Sequence, residues 1–138
     1  KSIEADVADA LLEITGGHPY GTQELAYALW QATPPGAAAG YEQLDEALIA
    51  VLRSEHSHFA RIWEKATRNQ RLILQALAAE SGHLLAAAYR ARHRLGTPST
   101  VQYAAGTLVD DELIGKDGSG AYHIVEPFLA EWVRQTST

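Results

Sequence analysis

The segment from Thr97 to Val125 constrains this chain more than any other part of it. Thr97 can accept a hydrogen bond from a free backbone N–H in the first turn of a helix, and Pro98 suits the first helical position, where no donor is required. A helix is therefore predicted to start at Pro98. Val101, Ala104, Ala105 and Leu108 recur at helical spacing on one side of it, leaving Thr100, Gln102, Tyr103 and Thr107 mostly on the other. Two strand-like pieces follow, 113–116 and 122–125, joined by Asp117-Gly118-Ser119-Gly120, whose glycines permit the positive φ of a tight turn.

A capped helix running straight into a small hairpin is the ending of a winged helix-turn-helix, and the residues before it fit that order. Thr67 can cap a helix carrying Leu72, Ile73, Ala76 and Leu77, and Leu84, Leu85 and Ala88 are predicted to start a second. After the hairpin, Glu126-Pro127 restarts a helix whose Phe128, Leu129, Trp132 and Val133 form one apolar stripe. Earlier in the chain, Ile3, Val7, Leu11 and Ile14 predict a helix stopped by Thr15-Gly16-Gly17. Pro19 opens a second, with Tyr20, Gln23, Ala26, Tyr27 and Trp30 near one side, until the loop Pro34 to Gly40. A long pattern from Leu44 through Val51, Phe59 and Ile62 to Ala66 predicts a third, with a kink expected between Ser54 and Ser57. The expected fold is mainly α with a small β-hairpin wing: a helical subdomain over 1–65 and a winged helix-turn-helix domain over 66–138. Trp30, Trp63 and Trp132, each on an apolar stripe, are expected to pack in a core or at a domain seam.

Composition restricts partners and chemistry. At 138 residues and 46% hydrophobic the chain can bury a core. It begins at Lys1 and contains no Met, which suggests a piece of a longer polypeptide. The absence of Cys removes thiol nucleophiles and thiolate metal sites and suits a cytoplasmic location. No apolar run approaches the ~20 residues that span a bilayer, so no membrane partner is expected. Residues 1–65 carry 4 basic and 10 acidic side chains, and residues 66–138 carry 7 of each. With a net charge of −6 the chain is a poor general binder of nucleic acid unless its few cations cluster, and Arg90, Arg92 and Arg94 form the one cluster.

The run Ile14-Thr15-Gly16-Gly17-His18-Pro19-Tyr20-Gly21-Thr22-Gln23-Glu24-Leu25, with Leu29-Trp30 beyond it, resembles the glycine-x-proline segment in the helical lid of AAA+ and STAND-type ATPases, notably the archaeal and bacterial ATPases related to origin-recognition proteins. The lines Leu95 to Gln102 and Tyr122 to Trp132 are similar to the C-terminal winged helix of that group. The resemblance implies that Gly17, His18 and Pro19, with Gln23 nearby, lie against the adenine of ATP or ADP. Nucleotide and Mg²⁺ would be held in the full-length parent by an upstream P-loop domain, with no cofactor expected in this fragment alone. This chain has no G-x-x-x-x-G-K-[ST] run to cradle phosphates and no Arg or Lys near Pro19 to reach a γ-phosphate. Implied too is a coupling in which nucleotide shifts the lid and, through the long helix, the winged domain. Taken without the resemblance, Gly16 to Pro19 is a helix-stop and helix-start corner.

The third helix of the winged module has two readings. In one it enters the major groove of DNA, with Ser99, Thr100, Gln102, Tyr103 and Thr107 toward bases and Arg90, Arg92, Arg94 and Lys116 toward phosphates. In the other it docks inside the parent protein or against another protein, which the lack of Arg on its face and the Asp110-Asp111-Glu112 run at its end favour. An alternative for the whole chain is a DNA-binding regulator whose first half only dimerises. No catalytic residue is identified: Ser119 lacks the strand-turn-helix setting of a nucleophile elbow. His56 and His58 would point about 200° apart on a helix, an arrangement unsuited to sharing a metal.

Overall fold

A computed structural model of the chain describes residues 1–136. It is mainly helical, with a small antiparallel hairpin, and divides into two compact units, the first Lys1–Ser57 and the second beginning at His58.

In the first unit, β1 (Ser2–Ile3) leads into α1 (Ala5–Thr15) and α2 (Pro19–Ala32), and β2 (Ala38–Ala39) precedes α3 (Tyr41–Lys65). Val7 and Leu11 on α1, Leu25 and Leu29 on α2, and Leu44, Ala47, Val51 and Leu52 on α3 are buried, as is Ala39 of β2. Two features depart from the sequence expectation. Ile3 does not belong to the first helix: it pairs with Ala39 in a two-residue parallel ladder that also joins Ser2 to Ala38. The 34–40 loop thus contains a strand, too short for any alternation of side chains to announce it. On α2 the aromatic side faces outward, with Tyr20 80%, Tyr27 66% and Trp30 55% exposed, while Leu25 and Leu29 turn inward. Trp30 is therefore a surface residue of this chain, whereas Trp132 is buried.

Helix α3 has no interruption between Ser54 and Ser57. No glycine or proline occurs there, and the Ser54 hydroxyl donates to the Val51 carbonyl at 2.7 Å, so the backbone ladder continues.

The second unit takes the last turns of α3 and adds α4 (Arg68–Ala79), α5 (Ala87–Arg92), α6 (Pro98–Asp110), the strands β3 (Ile114–Lys116) and β4 (Tyr122–Ile124), and α7 (Pro127–Thr136). Helix α4 starts in a reciprocal capping box: the Gln70 amide donates to Thr67 Oγ1 at 3.2 Å, and the Thr67 amide donates to Gln70 Oε1 at 2.9 Å. Helix α5 starts at Ala87, later than its apolar residues suggest. Leu84 is buried in the turn before it, while Leu85 is exposed. Ile73, Leu74 and Leu77 of α4 are buried, as are Val101, Ala105 and Leu108 of α6 and Phe128, Leu129 and Val133 of α7. Phe59 and Trp132 add a tilted ring pair at 6.1 Å, and Arg134 donates from Nε to the Ala78 carbonyl at 2.7 Å, tying α7 to the end of α4. Among the described residues no helix is long and apolar enough to cross a membrane.

Candidate functional site

The outer face of α6 is assembled by the caps at its two ends. At the start, Thr97 Oγ1 accepts from the Thr100 amide at 3.4 Å and Pro98 occupies the first turn. This fixes the helix phase, so that Val101, Ala104, Ala105 and Leu108 are buried and Ser99, Thr100, Gln102, Tyr103, Gly106 and Thr107 are exposed. Tyr103 is 82% exposed, more than any other large apolar or aromatic side chain described. At the far end the Glu112 amide donates to the Val109 carbonyl at 2.9 Å, and the Leu113 amide donates to the Leu108 carbonyl at 3.0 Å. Glu112 itself is left-handed, with φ 62°. That is the Schellman ending, with Glu where glycine is usual.

The wing lies next to this helix in the chain. Ile114 pairs with Ile124, Gly115 with His123 and Lys116 with Tyr122. Its turn is organised by one carboxylate: Asp117 Oδ1 accepts from the Ser119 hydroxyl at 2.7 Å, the Ser119 amide at 2.8 Å and the Ala121 amide at 3.1 Å. Those three donors hold the Asp117 carboxyl below its ordinary value. The amide and carbonyl of Gly82 both bond to Tyr122, at 3.0 and 2.7 Å, an isolated antiparallel bridge that ties the hairpin to the residues before α5. Only glycine fits there, since a Cβ on Gly82 would stand 2.9 Å from the Tyr89 ring. Lys116 is exposed, its ammonium 5.6 Å from the Tyr122 ring centroid.

The arginine cluster that precedes α6 in the chain is largely occupied with its own unit. Arg90 Nε donates to the Leu85 carbonyl at 3.2 Å and Arg90 Nη1 to the Gly96 carbonyl at 3.5 Å, bracing the turn between α5 and α6. Arg92 Nε is 3.0 Å from Glu80 Oε1, and His93 Nε2 lies 2.6 Å from the same oxygen. The His93 and Arg92 hydrogen bonds lower the Glu80 carboxyl. Beneath them the Tyr89 hydroxyl donates to the Glu80 carbonyl at 2.8 Å, and burial pushes that phenol up to about 12. Arg94 is exposed, in a left-handed conformation with φ 55°. Sequence spacing could not distinguish these roles, because each depends on a carbonyl or carboxylate from another element.

The corner between α1 and α2 is formed by Gly16 (φ 61°) and Gly17 (φ 71°), whose amides close back on the Glu13 and Leu12 carbonyls. His18 is the cap residue of α2 without a side-chain cap bond, and Pro19 opens the helix. Gly17, His18, Pro19 and Gln23 are all exposed. Behind them the buried Thr15 hydroxyl bonds to Thr22 Oγ1 at 2.8 Å, which fixes the angle of the corner.

A family model described as a probable winged helix domain matches residues 57–135. No curated protein and no solved structure matches the chain.

Proposed function

The chain belongs to the winged-helix family whose model it matches, and on that premise we propose that the winged unit docks on a protein through the outer face of α6, with the wing beside it. The observation that carries this reading is the charge pattern. Ser99, Thr100, Gln102, Tyr103 and Thr107 present hydroxyls, an amide and one projecting aromatic ring, and the helix closes on Asp110, Asp111 and Glu112. Affinity for DNA comes chiefly from cations that displace counterions from phosphates. Here Arg90 and Arg92 would first have to leave the Gly96 carbonyl and the Glu80 carboxylate. An exposed tyrosine ringed by small polar groups is the kind of anchor that dominates protein interfaces. Placing a photo-crosslinking phenylalanine analogue at Tyr103 in the full-length protein inside its own cells tests the proposal. Protein adducts are expected, and adducts to nucleic acid would overturn it.

Exposed Arg94 and Lys116, with the hydroxyl-lined start of α6, favour the second reading, in which Gln102 reads adenine and the first unit dimerises a DNA-binding regulator. For the first unit we propose the role that the ATPase resemblance implies: Gly17, His18 and Pro19 form one wall of an adenine site, and Gln23 and His18 are the nearest polar groups in place of a charged sensor. Phosphates and Mg²⁺ would be held by a P-loop domain outside this sequence. The exposure of all four residues leaves them open to such a contact. In the full-length protein, His18→Ala together with Pro19→Ala is expected to weaken binding of a fluorescent ATP analogue about tenfold. Unchanged affinity would remove this role.

A further inference from the structure

A cleft of about 600 Å³ opens at the foot of α6, and we propose that it takes a short peptide segment of the partner protein in which an apolar residue is flanked by Arg or Lys. The inference rests on the reading that the winged unit docks on protein. It adds where, and with what chemistry. The volume falls in the range of built binding clefts and suits a few side chains. Leu108 and Leu129 form the buried floor, and half-buried Ile62 and Leu113 offer apolar surface above it. Asp111 and Glu112 also line the cleft, as does Glu126, which already has a partner of its own. Lys65 and His58 stand on the α3 side. Asp111 and Glu112 are exposed, with neither an ion pair nor a side-chain hydrogen bond among the described residues.

The rim is therefore complementary to a cation, and the carboxylates suit the planar fork of a guanidinium. A phosphate-bearing ligand would meet repulsion at the same lip. Glu112 holds φ 62° at the one position of the helix ending where glycine or asparagine is favoured. Glu112 is one of the residues that line the cleft.

The test is selection of a random twelve-residue peptide library on the 138-residue chain, followed by affinity measurements on the winning peptide. The enriched sequences are expected to set Arg or Lys within three residues of Leu, Ile or Phe. Glu112→Gln, which keeps the side chain's length, and Asp111→Asn should together weaken the selected peptide about tenfold. Glu112→Gly should also weaken it while raising Tm, an opposition of binding and stability that a purely structural Glu112 would not produce. No enrichment, enrichment of neutral or acidic peptides, or affinity indifferent to all these variants would overturn the proposal. Peptides lost with Tyr103→Ala but retained with Glu112→Gln would leave the protein-docking reading standing and this cleft without its role. Duplex DNA bound in place of peptides would remove the reading beneath it.

Discussion

Helices α2 and α6 begin alike and end up presenting opposite surfaces. Each opens on a proline in its first turn, Pro19 and Pro98. Thr97 caps α6 with its hydroxyl, whereas His18 gives α2 no side-chain bond. The small and branched residues of α6 turn inward and its hydroxyls outward, while α2 buries Leu25 and Leu29 and turns Tyr20, Tyr27 and Trp30 to the surface. Proline thus fixes where a helix starts, but the cap and the pair of leucines, not the aromatic stripe, decide which side faces the core. Aromatic residues can sit on either side because their rings carry polar edges and hydrogen-bonding tips.

The sharpest way to break this comparison is to empty each helix's inner face. Leu25→Ala and Leu108→Ala each remove a fully buried side chain and should cost about 2–5 kcal/mol in denaturant unfolding. A Leu25→Ala loss below about 1 kcal/mol would mean that α2 is held by its aromatic side after all. Next come the caps. Thr97→Ala is expected to cost about 1 kcal/mol, and His18→Ala less than about 0.5 kcal/mol, since only the first loses an acceptor for an amide. Equal losses would contradict the asymmetry.

Smaller still is the acid response at the far side of each helix. The Asp117 carboxyl in the wing beyond α6 is lowered by the Ser119 and Ala121 donors, so its stabilisation is complete above the unfolded value near 3.8. It is lost as pH falls through the lower folded value. Amide exchange at Ser119 and Ala121 should therefore speed up on going from about pH 5 to about pH 2 beyond the intrinsic change. The end of α2 is closed by the buried Thr33 hydroxyl, which donates to the Leu29 carbonyl at 2.7 Å and does not titrate in that range. The smallest effects are expected for Tyr27→Ser and Tyr103→Ser, each within about 0.5 kcal/mol in thermal unfolding, because both rings are surface-exposed.

Much of the winged unit was legible in the sequence because its signals are local. Thr67 and Thr97 cap their helices, the hairpin pairs Ile114 with Ile124, and α7 starts at Pro127. The first unit was less so. Strands β1 and β2 are two residues each, so no periodicity marks them, and Ile3 belongs to one of them instead of to α1. Where a kink was expected in α3, between Ser54 and Ser57, the helix assignment runs on from Tyr41 to Lys65, and Ser54 bonds back to Val51. At the site, the exposed residues of α6 follow from spacing alone. The engagement of Arg90 and Arg92, the left-handed Glu112 and the cleft beside it depend on atoms brought from other elements, and no spacing rule encodes them.

The central claim is that the α6 face is built for protein and not for phosphate. Titrating the chain with random-sequence duplex DNA at low and at physiological salt tests it most directly. The account predicts no binding tighter than the roughly 10⁻⁴ M of weak non-specific contacts, with little response to salt. Tight binding that falls steeply with salt, with a slope reduced by about one when Arg94 is replaced by Ala, would contradict it.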